Sequence, residues 1–284
     1  MVSAFLYALS ALAIKRSIEL GIGPWRMTFL SNAMMAVLFG PFVFFGHGPL
    51  TFTPWWPPVL FGFLFFIGQV LTFLSLTRGD VSIVTPILGS KVVLVAVFLV
   101  VLLHEKLRAS VWVAAILTTA GIALLQQGNH QAHRGRILRT VLLSIATSCC
   151  FALVDIITKY WCPLIGFFRM LPASFLVTFL LSFALLPFFR KPLIHLPEKS
   201  GKVLLLAIIL LALQSVGMAI AIGYYGDAAG SNIVYGSRGL WSIALVWWIG
   251  HHFKNDESKT SLRILLFRVA GSALILSAII LIFI

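Results

Sequence analysis

Apolar residues along this chain come in long runs, broken at short intervals by glycine, proline or a cluster of charge. The runs fall at about residues 2–20, 25–45, 55–77, 81–103, 110–127, 138–160, 164–189, 202–224, 228–250 and 261–284. Their lengths match the roughly 20 apolar residues that an α-helix needs to cross a bilayer. They are too long and too uniformly apolar for barrel strands, and backbone exposed to lipid must satisfy its own hydrogen bonds, so each run predicts a helix. Pro24, Pro49, Pro54, Pro57, Pro58, Pro163, Pro192 and Pro197 sit at or between the proposed ends, where a missing N–H does least harm. Pro86, Pro172 and Pro187 fall inside spans or near their ends and are candidate kinks. The pattern therefore predicts an all-α polytopic membrane protein with about ten transmembrane helices.

Composition agrees. Of 284 residues, 60% are hydrophobic and 10% charged, and the mean hydropathy is +1.04. Soluble domains carry roughly 45–50% apolar and about 25% charged residues, so too little polar surface is present for a water-soluble body. A cytosolic enzyme is excluded on this ground. The 21 Lys+Arg against 8 Asp+Glu give a formal charge of +13, which in a soluble protein would suggest nucleic acid. Here the basic residues gather in short loops, where they fix topology and meet anionic headgroups, so the implied partners are the lipid bilayer and a small molecule, with no nucleic acid. The sequence sets no oligomeric state. Cys149, Cys150 and Cys162 lack CxxC spacing and indicate neither a disulfide framework nor a metal site. The first apolar stretch runs through Lys15 and Arg16 into another span, which speaks against a cleaved signal peptide.

The chain repeats itself. Gly79-Asp80 matches Gly226-Asp227, Gly89-Ser90-Lys91 matches Gly236-Ser237-Arg238, and His104 matches His251, all 147 residues apart. Upstream, Trp25-Arg26-Met27 matches Phe168-Arg169-Met170 at 143 residues, and Lys15 matches Lys159 at 144. Two five-helix halves are expected, 1–127 and 138–284, joined by a basic linker at 128–137. Five is odd, so the halves enter the membrane in opposite directions, as inverted repeats. The first helix looks short at its N-terminal side beside the sixth, which a truncated gene model or a naturally short span in a thinned bilayer would both explain.

The stretch from Leu71 to Gln126 resembles the EamA domain of the drug/metabolite transporter superfamily. In that domain a proline lies early in the fourth helix, a Glu-Lys/Arg-Leu closes it, and a glycine-containing fifth helix follows; Pro86, Glu105-Lys106-Leu107 and Gly121 occupy those places. In the second half Ile233 replaces the proline and His252-Phe253 the Glu-Lys. The resemblance implies a ten-helix carrier whose central cavity is lined by helices 1, 3, 4, 6, 8 and 9, in a cell membrane, a bacterial inner membrane.

Lys91 and Arg238 each lie ten residues past the start of a span, or ~15 Å deep, the middle of a ~30 Å core. A cation facing lipid there costs at least ~2.5–3.5 kcal/mol, so both are expected to face the interior. Related by the repeat, they are expected to form an electropositive substrate pocket for a carboxylate or phosphate, with Arg238 able to bind it bidentately. The alternative is that each pairs with a carboxylate or with helix carbonyls and only stabilises packing. Asp155 has Lys159 at i+4, which reads as a local structural pair; its alternative role is proton coupling. Gln69 and Gln214, each in an apolar helix, either donate to a polar substrate or join helices. Tyr235 and Trp241 flank Arg238 at i−3 and i+3 and would give the pocket an aromatic wall, with lipid or interhelix packing as the other reading. Asp80 and Asp227 follow glycine at matching turns and read as helix N-caps. His104, His251 and His252 lie at helix ends by the interface, so no metal is implied. A Ser/His/Asp arrangement, HExxH, a P-loop and a GxGxxG in a strand-turn-helix context are all absent, so no catalytic residues and no cofactor are expected.

The reading that follows is a secondary transporter moving a small anionic or zwitterionic metabolite by alternating access. A flippase for a lipid or lipid-linked sugar, using the same cations on a phosphate headgroup, is the alternative. A membrane-embedded enzyme lacks its reactive cluster, and a channel lacks a ring of like side chains.

Charge and family habit disagree on orientation. The odd-numbered loops hold Lys15, Arg16, Arg26, Arg78, Arg134, Arg136, Arg139, Arg190, Lys191, Lys199, Lys202, Lys254, Lys259 and Arg263; the even ones hold only Lys106, Arg108, Lys159 and Arg169. The positive-inside rule makes the odd loops cytoplasmic and places the end after Ile284 outside, whereas members of the resembled family usually keep both termini in the cytoplasm. Alkaline phosphatase fused after Ile284 in a bacterial host should therefore be active, and a fluorescent protein fused there dark. Bright fluorescence without phosphatase activity would show that the family habit prevails.

Overall fold

In a computed structural model, residues 1–46, 54–78, 84, 87–125, 137–189, 198–249 and 262–283 are described. Among these residues the chain is helical throughout, with no strand. We number the helices α1 (Val2–Glu19), α2 (Pro24–Phe39), α3 (Trp56–Arg78), α4 (Lys91–Leu103), α5 (Ala109–Leu125), α6 (Ile137–Ile165), α7 (Phe167–Ser182), α8 (Glu198–Ala219), α9 (Ala228–Tyr235), α10 (Arg238–Ile249) and α11 (Leu262–Phe283). Among the described residues five stretches are long and apolar enough to cross a membrane: Pro24–Phe45, Trp56–Ser75, Leu138–Ile165, Phe167–Phe188 and Gly201–Tyr224. The protein is an all-α polytopic membrane protein. Pro49, Pro86, Pro192, Pro197, Asp80, His251, His252 and the linker at 128–136 lie outside the described residues.

Several spans that the hydropathy pattern reads as single helices are interrupted. The α2 span tightens into a 3-10 turn at Gly40–Phe45, and the α7 span does the same at Phe183–Phe188. Pro41 supplies part of the reason, because it brings no N–H to continue the α-helical ladder. The eighth span ends in a π-turn at Ile220–Tyr224. The ninth divides at Gly236-Ser237 into α9 and α10, and the fourth is interrupted at Ser90. Pro163 lies inside the last turn of α6, which runs to Ile165, past the end expected near residue 160. Hydropathy alone carries no sign of these breaks, since an apolar residue serves equally in an α, 3-10 or π turn.

The breaks recur with the period of the sequence. Helix α7 with its 3-10 tail repeats α2 with its tail residue for residue, 143 positions later. Gly21 and Gly166, which separate the first and second helix of each half, both hold positive φ, +88° and +97°, a conformation that L side chains rarely adopt.

The helices pack as two compact units, and each draws on both halves of the sequence. One comprises Met1, Ile67–Ile156 and Ala228–Ile284; the other comprises Val2–Phe66 and Ile157–Asp227. The unit boundaries fall inside α3 and α6, which contribute a segment to each.

In the second unit, α1 packs along α8, and α2 against α7 and α8. Its interior is aromatic and hydroxyl-rich. Phe39 stacks on Phe175 at 4.3 Å between ring centroids. A stripe of Ser174, Thr178 and Ser182 on α7 satisfies itself by donating to carbonyls four residues back, and Ser182 Oγ also accepts from Asn32 Nδ2 of α2 at 2.7 Å.

In the first unit the most extensive packing is α5 along α11. It rests on a reciprocal pair of glycines: a Cβ added at Gly121 would lie 2.8 Å from the Gly271 carbonyl oxygen, and one added at Gly271 would lie 2.7 Å from that of Gly121. Where no hydrophobic force separates helix from lipid, such close backbone approach is the main source of association. Replacing Gly271 with valine should therefore lower the thermal stability of the purified protein, by about 1–3 kcal/mol in overpacking cost. Gly40→Ala, at a position where an added Cβ meets nothing within 4 Å, should leave it nearly unchanged. Equal melting temperatures for Gly271→Val and the parent would refute the glycine contact as the basis of this packing.

Candidate functional site

Lys91 and Arg238 both stand at the start of a helix. Lys91 opens α4 and Arg238 opens α10, each directly after a serine that closes a tight turn. The two turns share their serine bonds at the 147-residue offset. Ser90 Oγ donates to the Ile87 carbonyl at 2.6 Å and Ser237 Oγ to the Val234 carbonyl at 2.7 Å. The corresponding backbone N–H groups of Ser90 and Ser237 reach the same two carbonyls at 3.0 and 3.1 Å. Beyond each serine the helix resumes, with Leu94 N–H on the Ser90 carbonyl and Trp241 N–H on that of Ser237. Each serine thus gives both its hydroxyl and its backbone N–H to one carbonyl three residues back, which closes the tight turn.

Glycine precedes each serine for a steric reason. A Cβ at Gly89 would lie 2.9 Å from Ile122 Cγ2, and one at Gly236 would collide with Thr118 Cγ2. Thr118 and Ile122 are four residues apart, on one face of α5. Both hinges therefore seat their backbones against the same helix, and Thr118 is wholly buried there, its hydroxyl without a hydrogen-bond partner among the described residues.

Helix α6 grips the first hinge at two points. Ser148 Oγ donates to the Ile87 carbonyl at 3.1 Å, and seven residues on, on the same face, Asp155 Oδ2 lies 2.7 Å from Lys91 Nζ. The same carboxylate oxygen accepts from Asn232 Nδ2 of α9 at 2.6 Å. Asn232 also donates through Nδ2 to the Ala228 carbonyl at 2.9 Å, which fixes the side-chain amide with its NH2 toward Asp155. The pair is largely enclosed, with 20% of the Lys91 and 10% of the Asp155 side chain exposed. One carboxylate thereby links α4, α6 and α9, and through them both hinges.

Arg238 sits over the ring of Tyr235, its guanidinium carbon 4.8 Å from the centroid, a cation–π contact one turn back across the second hinge. Trp241 is half-buried one turn further on, and Gln69 is half-buried on α3 beside Gly68, whose backbone meets Phe151 of α6. Lys91, Asp155, Gln69, Tyr235, Arg238 and Trp241 all belong to the first unit. Gln214 belongs to the second, buried on α8 with its Nε2 donating to Ser215 Oγ at 2.9 Å.

One expectation changes. Asp155 is not confined to a local relation with Lys159, because Lys91, 64 positions earlier in the chain, holds its carboxylate. For Lys91, pairing with a carboxylate is the alternative that the sequence leaves open, and the ion pair is present. Asn232 was not among the residues that the sequence pattern brings forward, although an amide in the apolar stretch AAGSNIVY is the same signal that marks Gln69 and Gln214. Asp227 directly precedes α9, in the position of an N-cap, and His104 closes α4 in a left-handed conformation, φ +54°. Among the described residues no group of three or more His, Cys, Asp or Glu is arranged to hold a metal ion.

Comparison with known proteins agrees with this architecture. Residues 1–126 match the EamA-like transporter family. None of the curated proteins matches the chain. Among solved structures, a protein crystal structure superposes with a TM-score of 0.76 at 17% sequence identity, covering 99% of this chain and 93% of that one, a likeness of fold. Residues 1–126 thus resemble an EamA-like transporter domain, within a polytopic membrane protein.

Proposed function

We propose that the protein is a secondary transporter for a small anionic or zwitterionic metabolite, bound near the midplane beside the two hinges and moved by alternating access. The observation that carries this reading is the placement of Lys91 and Arg238, each at the first residue of a half-helix. A helix N-terminus carries partial positive charge, so a cation set there adds to a field that already favours an anion. Broken helices whose ends meet substrate at midspan are the device by which carriers present polar backbone inside a membrane without exposing it to lipid. Tyr235 and Trp241 give the Arg238 side an aromatic face, and Gln69 adds an amide donor. The tight serine turns are the natural points of bending, because each is already interrupted in its helical ladder. A cell membrane, and in particular a bacterial inner membrane, is the setting that fits this reading.

The substrate is approached by thermal-shift screening of the purified protein against carboxylates, phosphates, amino acids and nucleosides, since a ligand at 100 times its Kd stabilises by about 2.7 kcal/mol. The stabilising compound, radiolabelled, is then followed into vesicles containing the protein. Lys91→Gln and Arg238→Gln should each lower its initial rate of uptake at least about tenfold, the effect of ~1.4 kcal/mol, while the purified variants remain monodisperse. Normal transport by both single variants and by the double variant would place the substrate elsewhere.

A further inference from the structure

We infer that Asp155 is a tethered competitor for the anion at Lys91, and that it sets which anions the site accepts. This rests on the transport reading above only in taking Lys91 as an anion site. The geometry supplies the rest. Asp155 Oδ2 already meets the charge of the ammonium at 2.7 Å, so an incoming carboxylate competes with a chemically equivalent group for that charge. Asp155 has two advantages over that newcomer. It is held on α6, so its concentration at Lys91 is at least on the order of millimolar for even a loosely tethered group. It also keeps a second bond, from Asn232 Nδ2 at 2.6 Å, which a free monocarboxylate does not bring. Enclosure strengthens the pairing further, because the attraction between opposite charges rises as water is excluded.

A simple monocarboxylate at metabolite concentrations therefore loses the competition. The intact chain passes over such anions and admits one that offers Lys91 more than a single carboxylate does. Asn232 acts here as a positioning residue: its other Nδ2 bond, to the Ala228 carbonyl, fixes the amide so that it holds the Asp155 carboxylate in register with Lys91.

Acetate is the probe, titrated against chloride at equal ionic strength, with thermal stabilisation of the full-length purified protein as the readout. The parent should show no acetate-specific stabilisation. Asp155→Asn should gain it, with an apparent Kd at least about tenfold below any response of the parent, and the Lys91→Met/Asp155→Asn double variant should lose it again. Asn232→Ala leaves the ion pair in place and so guards against a folding defect in Asp155→Asn. It should shift the acetate response in the same direction by a smaller factor, whereas a purely structural asparagine would lower the melting temperature and leave that response alone. Three results would overturn the inference: no acetate response in Asp155→Asn, an equal response in the double variant, or an unchanged response in Asn232→Ala. Because none of these depends on flux, a transport assay indifferent to Lys91 would refute the proposed function and leave this competition standing.

Discussion

A single carboxylate, that of Asp155, joins three helices of the first unit. Within an apolar span an ionised side chain is tolerated only when its charge is met, and removing one member of a buried pair commonly costs 3–5 kcal/mol because the other is stranded. Lys91 and Asp155 each solve the other's problem, and Asn232 occupies the carboxylate from a third helix. Net stability need not be the result, since desolvation offsets much of the attraction. What the contact fixes is register: α4, α6 and α9 can meet in one way only if these three side chains are to be satisfied together.

Around that junction the same device is built twice. Each hinge consists of a glycine that lets the backbone close on α5, a serine that returns its hydroxyl to a carbonyl three residues back, and a cation that opens the next helix. Helix α6 clasps the first hinge through Ser148 and Asp155, and the same carboxylate meets Asn232 on the helix that precedes the second. Repetition thus supplies two similar bends, and one carboxylate of α6 ties them together. The packing units follow this logic. The first contains α4 and α5 of one half with α9, α10 and α11 of the other, so a unit is assembled across the repeats and not within one of them.

Much of this is legible in the sequence. Spans follow from composition because the bilayer demands about 20 apolar residues whatever their identity. The 147-residue offset marks Gly89-Ser90-Lys91 and Gly236-Ser237-Arg238 as one feature, and the depth of the two cations points to the interior. The offset does not show that the feature is a helix break, since glycine and serine also sit within intact transmembrane helices. The partner of Lys91 is hidden for another reason. Sequence spacing reveals contacts at i+3 and i+4, so it offers Lys159 to Asp155; a contact that spans 64 positions depends on how α4 meets α6, which no local pattern encodes. Asn232 shows the same limit from the other side, since its type is visible in an apolar stretch and its purpose only in space.

The central claim is that Lys91 and Asp155 are held together by charge across two helices, and exchanging them tests it most directly. Lys91→Asp and Asp155→Lys, each alone, put two like charges within the junction and should lower the melting temperature of the purified protein sharply. The exchanged double variant, Lys91→Asp/Asp155→Lys, restores opposite charges and should recover at least half of the loss. A double variant as unstable as the sum of its parts would contradict the account.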